Sequence, residues 1–496
     1  MLFNSLSFLI FFPIVVLLYF VIPPKVRYIW LLLASYFFYM GWNAKYALLL
    51  LFSTVVTYGA GLLLYKWREK PGRKKTVVAV GLVVNFGILF LFKYLDFVID
   101  TIQSLVAKVG ITIAEPSFNL LLPVGISFYI FQAVGYMVDI YREKLAPEKN
   151  FLKYALFVSY FPQLVAGPIE RSTRLLPQLK NLDKIKVWNL ERIRSGALVM
   201  LYGYFLKMVI ADRAALLVDT VFHANYYSQY VGFTALVGAI LFSVQIYCDF
   251  AGYTYIAIGA SKILGVELMN NFNTPYLATS VKDFWDRWHI SLTSWFRDYL
   301  YFPLGGSRKG KLRKYVNIMI VFSVSGLWHG AAWHYVVWGM LHGGLRVAEE
   351  ITEKLRTKVT NLLQINTAVL SYKAFRVCVT FFLVTIAWVF FRAESIGQAL
   401  DLIKNMLTVW NPWVLFDDSL LCLGLDGKDW NVLLFALLVM FVTECFQYKK
   451  VSLSGKFAEQ NLIFQWGFFL VGILFIMVFG IYGPAYSAAQ FIYFQF

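Results

Sequence analysis

Five histidines carry the most informative chemistry of this chain, because an imidazole gains and loses a proton near neutral pH. They are His223, His289, His329, His334 and His342. The last three lie in the apolar stretch GLWHGAAWHYVVWGMLHGG, where His329 follows the run YVNIMIVFSVSGLW and directly precedes Gly330. An ionisable side chain within so apolar a segment is costly and commonly functional. We therefore interpret His329 as the first candidate for proton transfer.

The other two histidines of this stretch are weaker candidates. On a continuous helix His342 would lie about 220° around the axis from His329, so the two share a face only if the helix breaks at Gly330. We interpret His334 as a structural residue that hydrogen-bonds a neighbouring helix. We interpret His342 as a packing or tunnel-lining residue. Trp328 and Trp333 are candidates for lining the tunnel or contacting substrate.

His289 lies in a different segment, DRWHISLTSWFRD, among charged residues. Asp286, Arg287, Arg297 and Asp298 surround it in the sequence. One interpretation is a structural cluster of ion pairs at the membrane surface. The other is functional: His289 meets His329 across a tunnel, with Arg297 and Asp298 near the substrate.

Composition identifies the class of protein that holds these residues. Of 496 residues, 59% are hydrophobic and 15% are charged, which is far more apolar than a water-soluble domain. Long uncharged runs at 6–22, 46–65 and 467–483 approach the length of a membrane span, and we count about ten to twelve such spans. The first charged residue is Lys25, so we expect the opening run to be a retained helix and not a removable signal peptide.

The apolar segments change character along the chain. Residues 1–110 form simple spans and are interpreted as a scaffold, whereas 117–350 are interrupted by Pro, Gly, Asn, Asp and Arg. Such interruptions are tolerated where they line a watery cavity, so we expect a tunnel there. Residues 282–314 are too charged to span and predict a re-entrant or interfacial segment. With the C-terminal helices of 375–496, the prediction is one all-α integral membrane domain over 1–496.

The net charge of +17 is concentrated in short stretches between spans, at 66–75, 171–194 and 307–314. By the positive-inside rule these stretches face the cytoplasm, which places the N-terminus outside. Because the charge flanks membrane segments and forms no soluble basic face, we expect no nucleic-acid partner.

Signatures of other enzyme classes are absent from the sequence. There is no GxSxG, GxxxxGK[ST], GxGxxG or HExxH motif, which argues against hydrolase, nucleotide-dependent and zinc-protease chemistry. The four cysteines are widely separated and form no CxxC pair, so we predict neither a zinc site nor a disulfide scaffold.

Several long motifs run across nearly the whole chain. They are LPVGISFYIFQAVGYMVDIYR, FPQLVAGPIERSTRLLPQL, DFAGY, NFNTPYLATSVKDFWDRWHISLTSWFRDYLYFPLGG, the WHG…W…WG…HG stretch, WVFFRAES and the closing FIYFQF. In these motifs the chain resembles the membrane-bound O-acyltransferase family, in the branch that includes the membrane subunit of bacterial alginate O-acetylation.

The resemblance implies a fold and an activity. The fold is a bundle of many helices around a central tunnel, in the bacterial inner membrane, with acetyl-CoA as cytoplasmic donor and no bound cofactor or metal. His329 matches the family's catalytic histidine and His289 its second one. Many relatives carry an Asp two residues after DFAGY, where this chain has Thr254 and Tyr255, which leaves Asp249 as the carboxylate of that motif.

On this resemblance His329 is the general base that deprotonates an acceptor hydroxyl, and the acceptor is an alginate-like polysaccharide outside the cell. Relatives of this branch usually work with a separate extracytoplasmic acetyltransferase, so we expect such a partner protein. Two alternatives within the same chemistry are D-alanyl transfer to teichoic acid and acetylation of peptidoglycan. An alternative of another class is a proton-coupled transporter.

Overall fold

The structure is a computed structural model that describes residues 1–110, 122–165 and 167–482. All regular secondary structure of these residues is helical. Seven of the helices are long and apolar enough to cross a membrane: Tyr46–Lys66, Pro71–Ala107, Leu190–Val221, Phe233–Ile263, Leu370–Arg392, Gly427–Tyr448 and Leu462–Phe479. These helices confirm the prediction of an all-α polytopic membrane protein.

The described residues thus contain fewer such helices than the ten to twelve spans counted in the sequence, and the N-terminal segment gives one reason. The apolar helix Leu6–Val21 has only 16 residues and is followed by Pro23 and Pro24, which cannot continue it. The predicted interfacial segment 282–314 folds into short helices separated by turns. The last predicted span ends beyond residue 482, so its final part and the FIYFQF motif lie outside the described residues.

The chain forms two compact units, and unit 1 comprises Met1–Ala197 with Ala257–Met269. The prediction of a single domain over 1–496 stays a prediction. The helices of unit 1 are α1 (Leu6–Val21), α2 (Arg27–Met40), α3 (Tyr46–Lys66), α4 (Pro71–Leu89), α5 (Leu95–Ala107), α6 (Ile126–Tyr141), α7 (Phe151–Ser159), α8 (Phe161–Leu164), α9 (Ser172–Lys180) and most of α10 up to Ala197.

Unit 1 is held together by apolar packing and by hydrogen bonds between buried polar side chains. Ser53 of α3 donates to the Oδ1 atom of Asn85 of α4 at 2.6 Å. One turn further along α3, Thr57 accepts a hydrogen bond of 2.8 Å from the hydroxyl of Tyr154 of α7. In an apolar surrounding such bonds link neighbouring helices and fix their mutual rotation.

The turn that precedes α9 contains a buried carboxylic acid, Glu170. Its Oε1 atom accepts a hydrogen bond from the backbone N–H of Met269. Burial raises the pKa of Glu170 to about 7, although that hydrogen bond and the nearby Arg174 oppose the shift. The interruption in the apolar pattern of 160–172 therefore corresponds to a polar anchor within unit 1.

Unit 2 comprises Leu198–Ile256 and Asn270–Phe496, of which the structure describes residues up to 482. Two helices contribute to both units, α10 (Leu190–Tyr204) and α12 (Phe233–Ile263). The other helices of unit 2 are α11 (Asp212–Val221), α13 (Val281–Arg287), α14 (Ile290–Phe296), α15 (Lys311–His329), α16 (Trp333–Ile351), α17 (Glu353–Leu362), α18 (Leu370–Arg392), α19 (Ile396–Thr408), α20 (Gly427–Tyr448), α21 (Leu453–Ala458) and α22 (Leu462–Phe479).

Within the described residues, three π-helical turns interrupt this α-helical architecture, at Phe90–Tyr94, Phe205–Ala211 and Arg297–Tyr301. Such turns are rare and often occur at functional sites. The first lies in unit 1 and the other two lie in unit 2. The second turn contains Lys207, and the third contains Arg297 and Asp298. The aromatic core of unit 2 surrounds four of the five histidines.

Candidate active site

His329 is the last residue of α15 and is only 3% exposed. Gly330 ends the helix in an extended backbone conformation, and its N–H donates a hydrogen bond of 3.3 Å to the carbonyl of Gly326. A Cβ atom on Gly330 would overlap the ring of Tyr335, so glycine is required for this close approach. Helix α16 begins at Trp333. The break at Gly330 thus occurs, and it turns the two histidine-bearing segments into a helical hairpin.

Two further glycines bring the helices of this hairpin together. A Cβ atom on Gly326 of α15 would overlap the carbonyl of Tyr335, and one on Gly339 of α16 would overlap the carbonyl of Phe322. Small residues at such positions allow two backbones to pack at close range. The close packing fixes the end of α15, and with it His329, against α16.

His289 is fully buried at the start of α14, in a left-handed backbone conformation with φ +43°. This conformation is uncommon for residues other than glycine and requires support from the surroundings. Asn271 supplies it, because its carbonyl accepts from the N–H of Ile290 at 2.9 Å and its side chain accepts from the hydroxyl of Ser291 at 2.5 Å. The ring of Phe250 packs edge-on against the imidazole at 4.7 Å.

His289 lies outside the seven candidate membrane spans. Burial lowers the pKa of its imidazole to about 3. At neutral pH the ring is therefore uncharged, with one nitrogen that donates a hydrogen bond and one that accepts.

The rings of His289 and His329 are neighbours, with centroids 6.2 Å apart and planes inclined by 60°. The indole of Trp328 contacts both of them, at 4.9 Å from His329 and 6.0 Å from His289. Two imidazoles at this separation can address one small group between them, such as a hydroxyl and the atom that it attacks. The structure thus places together the two histidines that the sequence resemblance selected from separate segments.

His342 lies in the same aromatic core and is fully buried. The indole Nε1 of Trp285 donates to its Nδ1 atom at 3.2 Å. Since Nδ1 accepts, the proton of a neutral His342 ring resides on Nε2. The ring of Trp338 lies 5.0 Å from His342 and 5.1 Å from His329, so one indole contacts both histidines.

The remaining residues of the WHG stretch have different surroundings. His334 has a hydrogen bond of 3.0 Å between its Nδ1 atom and the carbonyl of Phe390. This contact fits the structural interpretation of His334. Trp328 is 3% exposed and touches both candidate histidines, whereas Trp333 is 53% exposed.

Comparison with known proteins bears on what this site does. The sequence model of the membrane-bound O-acyltransferase family matches residues 36–390. The chain belongs to this family. It is therefore a membrane O-acyltransferase, as the motifs of the sequence predicted.

Three relatives illustrate the range of names within this acyltransferase family. The chain is 35% identical to the probable alginate O-acetylase AlgI of Pseudomonas syringae pv. tomato, over 93% of its own length and 85% of that protein. It is 34% identical to the peptidoglycan O-acetyltransferase of Helicobacter pylori, over 82% and 80% of the two chains. It is 29% identical to the teichoic acid D-alanyltransferase of Bacillus subtilis, over 49% and 63%.

The charged residues near His289 in this O-acyltransferase are divided among separate ion pairs of neighbouring residues. Arg297 and Asp298 pair with each other at 3.3 Å in the π-helical turn, where the arginine side chain is 60% exposed. The other two have partners on α13, as Lys282 binds Asp286 at 3.1 Å and Asp283 binds Arg287 at 2.6 Å. These ion pairs thus place the charges along the surface of the segment that carries His289.

Asp249, the carboxylate of the DFAGY motif, belongs to a buried group of three charges. The ammonium of Lys207 lies 2.6 Å from Asp249 and 2.7 Å from Asp212, and all three side chains are at most 3% exposed. Lys207 also lies over the ring of Tyr253 at 5.6 Å. Because buried charges require compensation, Asp249 serves at least to neutralise this lysine. Its neighbour Phe250 is the residue that contacts His289.

The sequence analysis missed several residues that shape this site. Lys207 interrupts the apolar run YFLKMVIAD, and a lone lysine within such a run was a signal for a buried partner. Trp285 and Trp338 gave no comparable signal, because aromatic residues are frequent throughout the chain, and Asn271 lies in no pattern that marks it out. Their importance depends on contacts between segments distant in sequence.

Proposed function

We propose that this protein moves acetyl groups from cytoplasmic acetyl-CoA across the membrane to hydroxyl groups of an extracellular or cell-wall polysaccharide. The observation that carries the proposal is the pair of buried histidines, His289 and His329, 6.2 Å apart in an aromatic surrounding. Support for acetyl as the transferred group comes from relatives named as alginate and peptidoglycan O-acetylating enzymes.

In the proposed mechanism His329 is the general base. It takes the proton from the acceptor hydroxyl, whose oxygen attacks the carbonyl carbon of the thioester. The carbon–sulfur bond then breaks, and the proton passes from His329 to the departing thiolate, which releases CoA as a thiol. His289, uncharged at neutral pH, orients the acceptor or donates a hydrogen bond to the oxyanion that develops on the carbonyl oxygen.

The proposal includes an orientation in the membrane. The basic stretches at 66–75 and 307–314 face the cytoplasm of a bacterium, and the N-terminus lies outside the inner membrane. The donor then reaches the helical hairpin from the basic side, and the acceptor approaches from the opposite side through a central tunnel. A separate extracytoplasmic acetyltransferase receives the acetyl group or completes its transfer to the polysaccharide.

For the acceptor, an alginate-like polysaccharide is the first candidate and peptidoglycan the second. The second is favoured by a specific observation, the 34% identity to the peptidoglycan O-acetyltransferase over 82% of this chain. D-alanyl transfer to teichoic acid has weaker support, since that relative matches 49% of the chain. Membership of the acyltransferase family argues against the proton-coupled transporter that the sequence had left as an alternative.

The decisive experiment supplies inside-out membrane vesicles with acetyl-CoA labelled in the acetyl group. The native protein is expected to release CoA and to transfer label to added polysaccharide or partner protein. His329→Ala should lower this transfer by at least a hundredfold, because it removes the general base. His223→Ala is the matched control, since it deletes the same side chain at an exposed position outside the site.

Equal labelling by the native protein and His329→Ala would overturn the catalytic role of His329. Passage of a solute across the membrane without release of CoA would favour the transporter. Offering alginate, peptidoglycan and D-alanyl carrier substrates in parallel identifies the acceptor and the acyl group.

A further inference from the structure

A second polar feature of unit 2 lies at the C-terminal end of α16, where a cavity of about 430 Å³ opens beside α13, α15, α17 and α18. Its volume falls in the range of small-molecule sites, roughly 300–1,000 Å³. Three glutamates line it together with five cationic side chains: Lys282, Lys314, Arg346, Arg356 and Arg376. The excess of positive charge favours an anionic ligand.

Two of the arginines are anchored while part of each guanidinium group stays available. Arg356 donates to the carbonyl of Glu349 at 2.6 Å, and Arg376 donates to the carbonyl of Thr279 at 3.1 Å. Their approaches to the carboxylate of Glu349, at 4.0 and 3.6 Å, are longer than hydrogen bonds. Both oxygens of that carboxylate already accept backbone N–H groups at the start of α13, at 3.2 and 2.9 Å. The glutamate therefore leaves guanidinium N–H groups for another anion.

The third arginine, Arg346, is the most enclosed of the three, with its side chain 18% exposed. It lies 3.9 Å from one oxygen of Glu350. The other oxygen of Glu350 binds the ammonium of Lys314 at 2.6 Å, which is the tight ion pair of this cavity. The distance of 3.9 Å is too long for a hydrogen bond, so the guanidinium group of Arg346 keeps N–H groups that can bind an anionic ligand.

The cavity and the histidine pair are connected by one face of α16. Trp338, His342 and Arg346 follow one another at intervals of four residues, and each interval turns about 40° around the axis, so their side chains form a strip that curves by about 80° from Trp338 to Arg346. Each interval advances about 6 Å along the axis. The ring of Trp338 contacts His329. An elongated ligand bound at Arg346 and aligned with this face would point its far end toward His329.

We propose that this cavity binds the phosphate groups of the acyl donor, a phosphopantetheine thioester such as acetyl-CoA, through Arg346, Arg356 and Arg376. This inference rests on the proposed function. Guanidinium groups match phosphate oxygens in planar, two-pronged hydrogen bonds and are stronger ligands than isolated lysines. The phosphates bind at the basic end of the hairpin, and the uncharged pantetheine arm extends along α16 toward the histidines.

The test removes the positive charge of Arg346 by substitution and, in parallel, removes phosphate groups from the donor by using shortened thioesters. In inside-out vesicles, KM and kcat are measured for acetyl-CoA, acetyl-3′-dephospho-CoA and S-acetylpantetheine with the native protein and with Arg346→Gln. We expect Arg346→Gln to raise KM for acetyl-CoA about tenfold, which corresponds to about 1.4 kcal/mol. Its KM for S-acetylpantetheine should equal that of the native protein, because this thioester has no phosphate.

Arg308→Gln is the matched control, since Arg308 is an exposed arginine in the basic turn before α15 and does not line the cavity. A variant that folds poorly would lose activity with both thioesters, so the comparison between donors separates folding from binding. Equal KM changes for acetyl-CoA and S-acetylpantetheine, or none for either, would overturn the proposal.

Equilibrium binding of radiolabelled CoA to the purified protein gives a readout that does not depend on transfer. Weaker binding to Arg346→Gln than to the native protein supports the cavity as a phosphate site even if the native protein transfers no acetyl group, a result that would refute the proposed function alone. The same measurement with phosphatidylglycerol distinguishes a lipid phosphate from the donor. If Arg346→Gln loses that lipid but keeps CoA, the inference is wrong.

Discussion

At the scale of single residues, the hydrogen bond from Trp285 to His342 has a consequence for the histidine pair. It fixes which nitrogen of His342 holds the proton, and it ties α13 to α16 beside Trp338, the indole that contacts His329. Because α13 leads directly into His289, this bond fixes the segment of one candidate histidine against the helix that contacts the other. Trp285 is therefore expected to position the site without touching the reacting atoms.

Trp285→Phe retains an aromatic ring but deletes the donor. It leaves the buried Nδ1 atom of His342 without its partner, which should cost about 1–3 kcal/mol of stability or local order. We expect a lower kcat for acetyl transfer, with KM for acetyl-CoA nearly unchanged, since the cavity residues are not altered. Kinetics in vesicles and thermal unfolding of the purified protein measure the two effects.

Trp466→Phe provides the comparison for this substitution, because Trp466 is 73% exposed on α22. It should leave both quantities as in the native protein. If Trp285→Phe behaved like Trp466→Phe, the hydrogen bond to His342 would have no part in positioning.

At the scale of elements, the α15–α16 hairpin determines where His329 lies. Its helices approach so closely that Gly326 and Gly339 face backbone carbonyl groups with no room for a side chain. The same sequence feature, a stretch rich in glycine beside histidine, thus has two roles. Gly330 ends the helix at His329, and the other glycines allow the neighbouring helix to hold it.

Gly339→Ala is expected to destabilise the hairpin, because the added methyl group overlaps the carbonyl of Phe322. Overpacking of this kind costs about 1–3 kcal/mol. The variant should unfold at a temperature lower by a few degrees and transfer acetyl groups more slowly, since the end of α15 shifts. Thermal unfolding and the vesicle assay test both outcomes.

Gly344→Ala is a matched control on the same helix, because a Cβ atom there meets nothing within 4 Å. Alanine also favours the helix over glycine by about 1 kcal/mol. This variant should be as stable as the native protein or more so. Equal destabilisation by the two alanines would contradict the close-packing interpretation.

At the scale of the whole molecule, the proposed orientation in the membrane rests on the distribution of charge. Basic residues precede α4 and α15, and Lys449 and Lys450 follow α20. With α18 and α20 both long enough to cross the membrane, the segment between them lies on the side opposite to those lysines. This segment contains the exposed Cys422.

Accessibility to a membrane-impermeant thiol reagent tests this orientation in intact cells. Native Cys422 should react from outside, because its segment is extracytoplasmic in the proposed topology. Lys70→Cys in a chain with Cys422→Ser should react only after the membrane is opened or in inside-out vesicles, since the proposed topology places the 66–75 loop in the cytoplasm. The reverse pattern would invert the orientation, and with it the side from which the donor enters.

The sequence by itself determined the class of fold and the chemical candidates. Hydrophobic composition and uncharged runs of membrane-spanning length predict an all-α membrane protein, because a helix satisfies its backbone hydrogen bonds within one segment. The motifs around His289 and His329 identified the family, and the basic stretches suggested an orientation. Gly330 was recognised as the position at which a helix could break.

Only the tertiary structure decided which segments meet. Periodicity describes the faces of one helix, whereas the 6.2 Å approach of His289 to His329 depends on how the start of α14 meets the C-terminal end of α15. The same holds for the bond between Trp285 and His342, for the burial of Asp249 with Lys207, and for the cavity at Arg346. Each of these sites joins residues distant in sequence, and their distances are set by close packing that no local pattern encodes.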